Sequence, residues 1–317
     1  MPLTRSTRRR GAARPPTGAT ASAPDGAPVH RPQLLGILNV NADSFSDPHG
    51  DRDTAGSIAA GIALRDVGAD LVDVGAESAS PATPVLAAEA EIAALVPVLE
   101  GLHAAGVRTS VDTYKPTVAH AAIDAGVAVV NDYSGLAHPE LAEVCGAADV
   151  DYVLTHNPAQ VKNKLLDTTR YGDVVADTTR WFATTLDELE RRGLPRDRVV
   201  LDPGIDLSKT PAQSIEVLRG LPQLAADLGR PLLVAISRKD FIGALVPTRP
   251  RERGPGTLAA LAALTEVPAT IARVHDVAAA AQFLAVLDAL AGPTPPDADL
   301  ALDPRLRREP SGPSEGS

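Results

Sequence analysis

Four segments hold most of the residues in this chain that can do chemistry. They are Gly36-Ile-Leu-Asn-Val-Asn-Ala-Asp-Ser-Phe-Ser-Asp47; Ser110-Val-Asp-Thr-Tyr-Lys115 followed by Asn131-Asp132; Leu201-Asp-Pro-Gly204 running on to Lys209-Thr210; and Ile236-Ser-Arg-Lys-Asp-Phe-Ile-Gly243 paired with Arg273-Val-His-Asp-Val277. A carboxylate such as Asp202 accepts two parallel N–H donors, and an amide such as Asn131 offers both a donor and an acceptor. That pairing suits the edge of a planar nitrogen heterocycle. Lys239 adds a compact positive charge. Arg273 and His275 can stabilise negative charge as it develops on a departing anion. No covalent intermediate is required, and Cys145, the single thiol, falls in a helix-like stretch away from any strand end.

These residues need elements to place them. Short aliphatic or β-branched runs recur at Leu34–Leu38, Leu71–Val74, Thr109–Val111, Val127–Val130, Tyr152–Leu154, Val199–Leu201, Leu232–Ile236 and Thr270–Ala272. Continuous apolar runs of this kind mark strands buried on both faces. Between them lie helical spacings: Ile92, Leu95, Val96 and Leu99 in one, Phe283, Leu287 and Leu290 in another. Gly68, Gly106, Gly126 and Gly193 fall just before strands, where helices need a stop. Periodicity alone allows an open sheet or a closed barrel. Nearly every run, however, ends in a polar cluster: Asn39; Asp73 and Glu77; Asp112; Asn131 and Asp132; Thr155 and His156; Asp202; Ser237, Arg238 and Lys239; Arg273, His275 and Asp276. Only closure brings them all to one mouth, so the expected fold is an α/β (β/α)8 TIM barrel. Plainer roles compete at single positions. Asp73 and Asp276 can be helix N-caps, His156 a packing residue, Lys209 a loop support, and Trp181 and Phe182 helix anchors.

The barrel is expected over residues 33–292. Residues 1–32 and 293–317 are rich in Pro, Gly, Ser and Arg without apolar periodicity and read as disordered tails. The arginines near the N-terminus lack the apolar stretch of an export signal. A net charge of −10 argues against a general nucleic-acid binder, and no apolar run is long enough to span a membrane. Only five of the 30 basic residues are Lys, which makes a motif Lys more informative. A lone Cys excludes an internal disulfide framework and fits the cytoplasm.

Taken in order, the four segments resemble dihydropteroate synthase from Gln33 to about Gly292. The resemblance implies a pterin-binding TIM barrel that joins a dihydropterin diphosphate to p-aminobenzoate or a related arylamine, with Mg2+ assisting departure of pyrophosphate. It implies that Asp112, Asn131, Asp202 and Lys239 hold the pterin, with Asp112, Lys239 and Asp202 the catalytic set. By the same resemblance Asn39 reaches the metal, Arg273 and His275 meet the diphosphate, and Ser237 lies near the aminobenzoate carboxylate. Homodimers are left open. Several loops depart from the family's pattern: Asn39-Val-Asn-Ala-Asp-Ser-Phe45, Glu77-Ser-Ala-Ser-Pro81, Asn157-Pro-Ala159 and Asp206-Leu-Ser-Lys209, the last replacing Gly-Phe-Gly-Lys. These departures make a catalytically silent or repurposed pterin-binding paralogue the second reading. A pterin-dependent methyltransferase barrel is opposed by the Ser-Arg-Lys and Arg-Val-His segments. A metal-dependent aldolase barrel lacks a clear ligand set.

Overall fold

The computed structural model describes residues 30–40, 53–77, 83–159, 161–162, 167–291 and 297–307. Eight parallel strands close into a barrel in chain order. They are β1 (Gln33–Asn39), β2 (Leu71–Gly75), β3 (Thr109–Asp112), β4 (Val129–Asp132), β5 (Asp151–Thr155), β6 (Val199–Asp202), β7 (Leu232–Ala235) and β8 (Thr270–Val274). Each apolar run became a strand. The fourth starts at Val129 because Val127 N–H still bonds back to Ala122 O, closing the helix before it.

The described helices are α1 (Thr54–Asp66), α2 (Ala88–Ala104), α3 (Pro116–Asp124), α4 (Glu140–Ala148), α5 (Val174–Arg191), α6 (Pro211–Arg219), α7 (Leu221–Leu228), α8 (Asp240–Leu245), α9 (Gly254–Leu264) and α10 (Val277–Ala291). Gly68, Gly106, Gly126 and Gly193 take φ of 113°, 68°, 93° and 92° where helices end. On α2 the expected stripe holds, with Leu95 and Leu99 buried. On α10 it does not. Val277, Ala280 and Leu284 are buried there, while Leu290 is 80% exposed. An Ala-rich helix presents apolar residues on every side, so its sequence leaves the docking face undetermined. No helix among the described residues is long and apolar enough to cross a membrane.

Two apolar clusters fill the fold. The large one lies between the strands and their surrounding helices, and a small one plugs the barrel itself with Leu35, Leu71, Val129, Val153 and Leu233. Val200 and Ile271 pack against that plug. Successive strand side chains alternate faces, so the residue two positions on points the same way. Two positions beyond these plug residues stand Asp73, Asn131, Thr155, Asp202 and Arg273. The plug therefore carries a polar layer on its C-terminal side. Of the expected tails, residues 30–32 and 297–307 are described; His30 N donates to Thr265 O at 2.8 Å, and the C-terminal stretch holds one short 3-10 turn at Pro304–Leu306.

Candidate active site

The polar layer is cross-braced. Arg273 on β8 donates from Nε to Asp73 Oδ2 at 2.6 Å and from Nη2 to Asp112 Oδ2 at 2.7 Å. Asn131 Nδ2 donates to the same Asp73 oxygen at 3.1 Å. Register puts Asp112 beside Asn131 and Thr155 beside Asp202. The other oxygens, Asp73 Oδ1 and Asp112 Oδ1, are buried without a hydrogen-bond partner among the described residues. One guanidinium thus serves two carboxylates, and the floor keeps acceptor capacity for a donor-rich ligand. Burial, reinforced by Asp73, pushes the Asp112 carboxyl up to about 7 against the pull of Arg273. Burial alone would lower the pKa of Arg273, but Asp73 and Asp112 hold it above its ordinary value.

Asp202 ends β6 and is buried. Its Oδ1 accepts from Gly204 N at 2.8 Å, and burial raises its pKa while Lys239 and Arg273 oppose. Gly204 has to be glycine. Its φ is +68°, and a Cβ there would lie 2.2 Å from His156 O. Beyond it, Asp206 and Ser208 adopt φ of 61° and 51°, a costly choice for non-glycine residues. Their side chains compensate. Asp206 Oδ2 accepts from Asp240 N at the start of α8, and Ser208 Oγ donates to Asn157 Oδ1 at 3.2 Å. The Asn157 and Ser208 departures from the family pattern are therefore partners across two loops.

A cationic rim faces the floor. A pocket of about 290 Å3 is lined by Ser237, Arg238, Lys239, Arg251, Arg273 and His275 among others, and the described residues of its lining include no carboxylate. Lys239 Nζ donates to Ile205 O at 3.0 Å, tying the turn after β7 to the loop after β6. Ser237 Oγ lies 2.9 Å from His275 Nδ1. Burial, with Arg238, Arg273 and Lys239 nearby, lowers the His275 pKa to about 3, so the ring is neutral and acts through hydrogen bonds. Arg253 fixes the rim. Its Nη1 donates to Arg238 O, Lys239 O and Asp240 Oδ1 at 2.9, 3.0 and 3.1 Å, while its Nε donates to Thr248 O at 3.1 Å.

Other polar strand-end residues are spoken for by structure. Glu77 binds Lys115 at 2.5 Å, Lys162 at 3.1 Å, the Tyr114 hydroxyl at 3.0 Å and Leu86 N at 2.9 Å, a brace joining three loops around the mouth. His156 packs against Trp181 and Phe182, with ring centroids 5.0 and 6.1 Å away. Its Nδ1 lies 2.8 Å from the ammonium of Lys209, which is buried and supports the loop. Asp276 caps α10 through Ala279 N, as its sequence position allows. Asp73 does not cap a helix. It is fully buried inside the barrel and belongs to the floor.

The sequence-derived set therefore gathers at one end of the barrel: Asp112, Asn131, Asp202 and Arg273 in the floor, Ser237, Lys239 and His275 at the rim, and Asn39 at the tip of β1 beside Gly75. The altered stretches at Asn41-Ala42 and Ala79-Ser80, and Asp47, lie outside the described residues. Two contributors were not assigned a role from sequence. Asp73 was ambiguous with a cap. Arg251 sits in a short turn at Pro250–Glu252 with no strand to announce it.

A closed barrel with a carboxylate and amide floor under a cationic rim is the architecture of a pterin-binding barrel, and the family model described as "Pterin binding enzyme" matches residues 35–275. The chain belongs to the dihydropteroate synthase family. It is 35% identical to dihydropteroate synthase of Synechocystis sp. over 82% of this chain and 90% of that one. Against the Mycobacterium leprae enzyme the identity is 36%, covering 83% and 94%. Among solved structures, Xanthomonas albilineans dihydropteroate synthase in complex with 7,8-dihydropteroate aligns with a TM-score of 0.70 at 37% identity, covering 82% and 94%. The same enzyme with 4-aminobenzoic acid aligns at 0.73.

Proposed function

We propose that this protein is a transferase that condenses 6-hydroxymethyl-7,8-dihydropterin diphosphate with p-aminobenzoate or a closely related arylamine, releasing pyrophosphate. The observation that carries this reading is the braced floor of Asp73, Asp112, Asn131 and Arg273, with Asp202 beside it. A pterin edge presents an amino group beside a ring N–H, donors that Asp202 and Asp112 can accept. Asn131 serves the neighbouring edge, and Lys239 sets a positive charge beside the ring. The arylamine nitrogen attacks the exocyclic methylene carbon as the C–O bond breaks. The bonding electrons leave with the diphosphate, and the amine proton passes to solvent. Negative charge grows on the departing oxygens, which Arg273, neutral His275 and the rim arginines stabilise where it develops.

Magnesium fits this mouth in a particular way. Mg2+ keeps several waters and takes one or two protein oxygens together with substrate phosphates. Among the described residues no group of three or more His, Cys, Asp or Glu is arranged to cage a metal. Asn39 would supply the protein ligand, and the bound ion would neutralise charge on the diphosphate. A reducing cytoplasm suits the single buried thiol of Cys145.

Incubating the protein with the dihydropterin diphosphate, Mg2+ and p-aminobenzoate should give 7,8-dihydropteroate, detected by mass. Tight pterin binding with no product from any arylamine would instead mark a silent paralogue. Nothing in the floor favours that second reading, since its carboxylates, amide and guanidinium are all in place.

A further inference from the structure

The loop after β6 grips the turn after β7 at two adjacent positions. Lys239 Nζ donates to Ile205 O at 3.0 Å, and the next loop residue, Asp206, accepts from Asp240 N through Oδ2. Lys239 is thereby held both at the tip of its side chain and at the backbone that follows it. The Lys239–Asp240 peptide is a planar unit, and both of its polar atoms are engaged. Arg253 Nη1 donates to Lys239 O at 3.0 Å, while Asp206 takes the N–H. The preceding plane is held too, by the same Nη1 donating to Arg238 O at 2.9 Å. Two fixed planes flanking one α-carbon fix the direction of its Cβ.

Asp206 is itself anchored. It is buried, and its N–H donates to the hydroxyl of Ser214 on α6 at 3.1 Å. Its φ of 61° lies in the left-handed region, which glycine enters without steric cost and Asp less readily. Backbone geometry alone therefore favours glycine, the residue that the dihydropteroate synthase pattern carries here. What Asp adds is a carboxylate, and the group it meets is the N–H beside Lys239. The ammonium so placed lies near enough to Asp202 to oppose the upward push of burial on that carboxyl.

We propose that Asp206 is a positioning residue for Lys239, presenting its ammonium to the pterin in one orientation relative to Asp202. Asp206 acts through the turn and not on the ligand. This role rests on the pterin-binding reading above, in which Lys239 sets its charge beside the ring.

The test is calorimetry of 6-hydroxymethyl-7,8-dihydropterin binding to full-length protein. Asp206→Gly relaxes the backbone but deletes the acceptor, and should weaken binding about tenfold, the weight of one hydrogen bond to a charged group. Asp206→Asn keeps an oxygen acceptor and tolerates positive φ, so it should recover most of the affinity. In a Lys239→Met background, Asp206→Gly should cost nothing further, because the side chain it positions is gone. A general loosening of the fold would weaken binding equally with or without Lys239. The role is overturned if Asp206→Gly binds like the parent, if Asp206→Asn binds no better than the glycine variant, or if the loss persists at full size in the Lys239→Met background. A parent that binds no dihydropterin has a different meaning: it removes the pterin-binding reading itself, and this role with it.

Discussion

The floor and the rim of the mouth are built by different rules. The floor stands on strands: Asp73, Asp112, Asn131, Asp202 and Arg273 come from five of them, and register fixes their neighbours. Its charges are buried, and two carboxylates share one guanidinium. The rim stands on turns and gathers the cationic side chains of Arg238, Lys239 and Arg251. It is held by backbone carbonyls accepting from Arg253 rather than by ion pairs alone. Strand-borne groups can be placed to tolerances that a planar ligand demands, whereas a diffuse anion needs only net charge nearby. The floor should therefore read shape and hydrogen bonds, and the rim should read charge.

The largest effect expected from this contrast follows Arg273→Ala. It strands Asp73 and Asp112 as buried unpaired carboxylates, which costs about 3–5 kcal/mol, and a urea midpoint should fall accordingly. An unchanged midpoint would show that the brace is not what holds the floor. Next comes Asp202→Asn, which should weaken dihydropterin binding by about 1.5–3 kcal/mol, the value of a hydrogen bond to a charged group, as read by calorimetry. A variant binding pterin as tightly as the parent would remove Asp202 from the site.

A smaller effect concerns pH. Asp112 must lose its proton before it can accept ligand donors, and its carboxyl is raised to about 7. Pterin affinity should therefore rise as pH increases through that value. Asp73→Asn removes a like charge that helps raise it, so the midpoint should move to lower pH; a midpoint that stays put would break the coupling. The smallest effect is expected at the rim. Arg251→Gln should weaken pyrophosphate binding by no more than about 1 kcal/mol, as exposed charges do. Added salt should shrink the difference, and pterin affinity should be untouched. Loss of pterin binding in this variant would erase the division between floor and rim.

How much of this was legible beforehand varies with the element. The eight strands were readable because β-branched and aliphatic runs buried on both faces leave a local mark, and so were the glycines whose positive φ ends the helices. The face of α10 was not readable, since an Ala-rich helix has no weak side to betray which one docks. The loop after β6 shows a middle case. Asp206 and Ser208 looked like damage to a glycine pattern, but in space Asp206 caps α8 and Ser208 pairs with Asn157, a residue 51 positions away.

What the sequence determined by itself was the succession of strands and the polar residue at each tip, because periodicity and turn chemistry act over a few residues. Tertiary structure alone decided what those tips became. Asp73 and Asp276 each follow an apolar run, yet one is paired to an arginine 200 residues away inside the barrel and the other merely caps the next helix. Barrel closure makes that choice by bringing β8 beside β1 and carrying Arg273 in over the acids of β2 and β3. Contacts between groups so distant along the chain leave no local pattern to read.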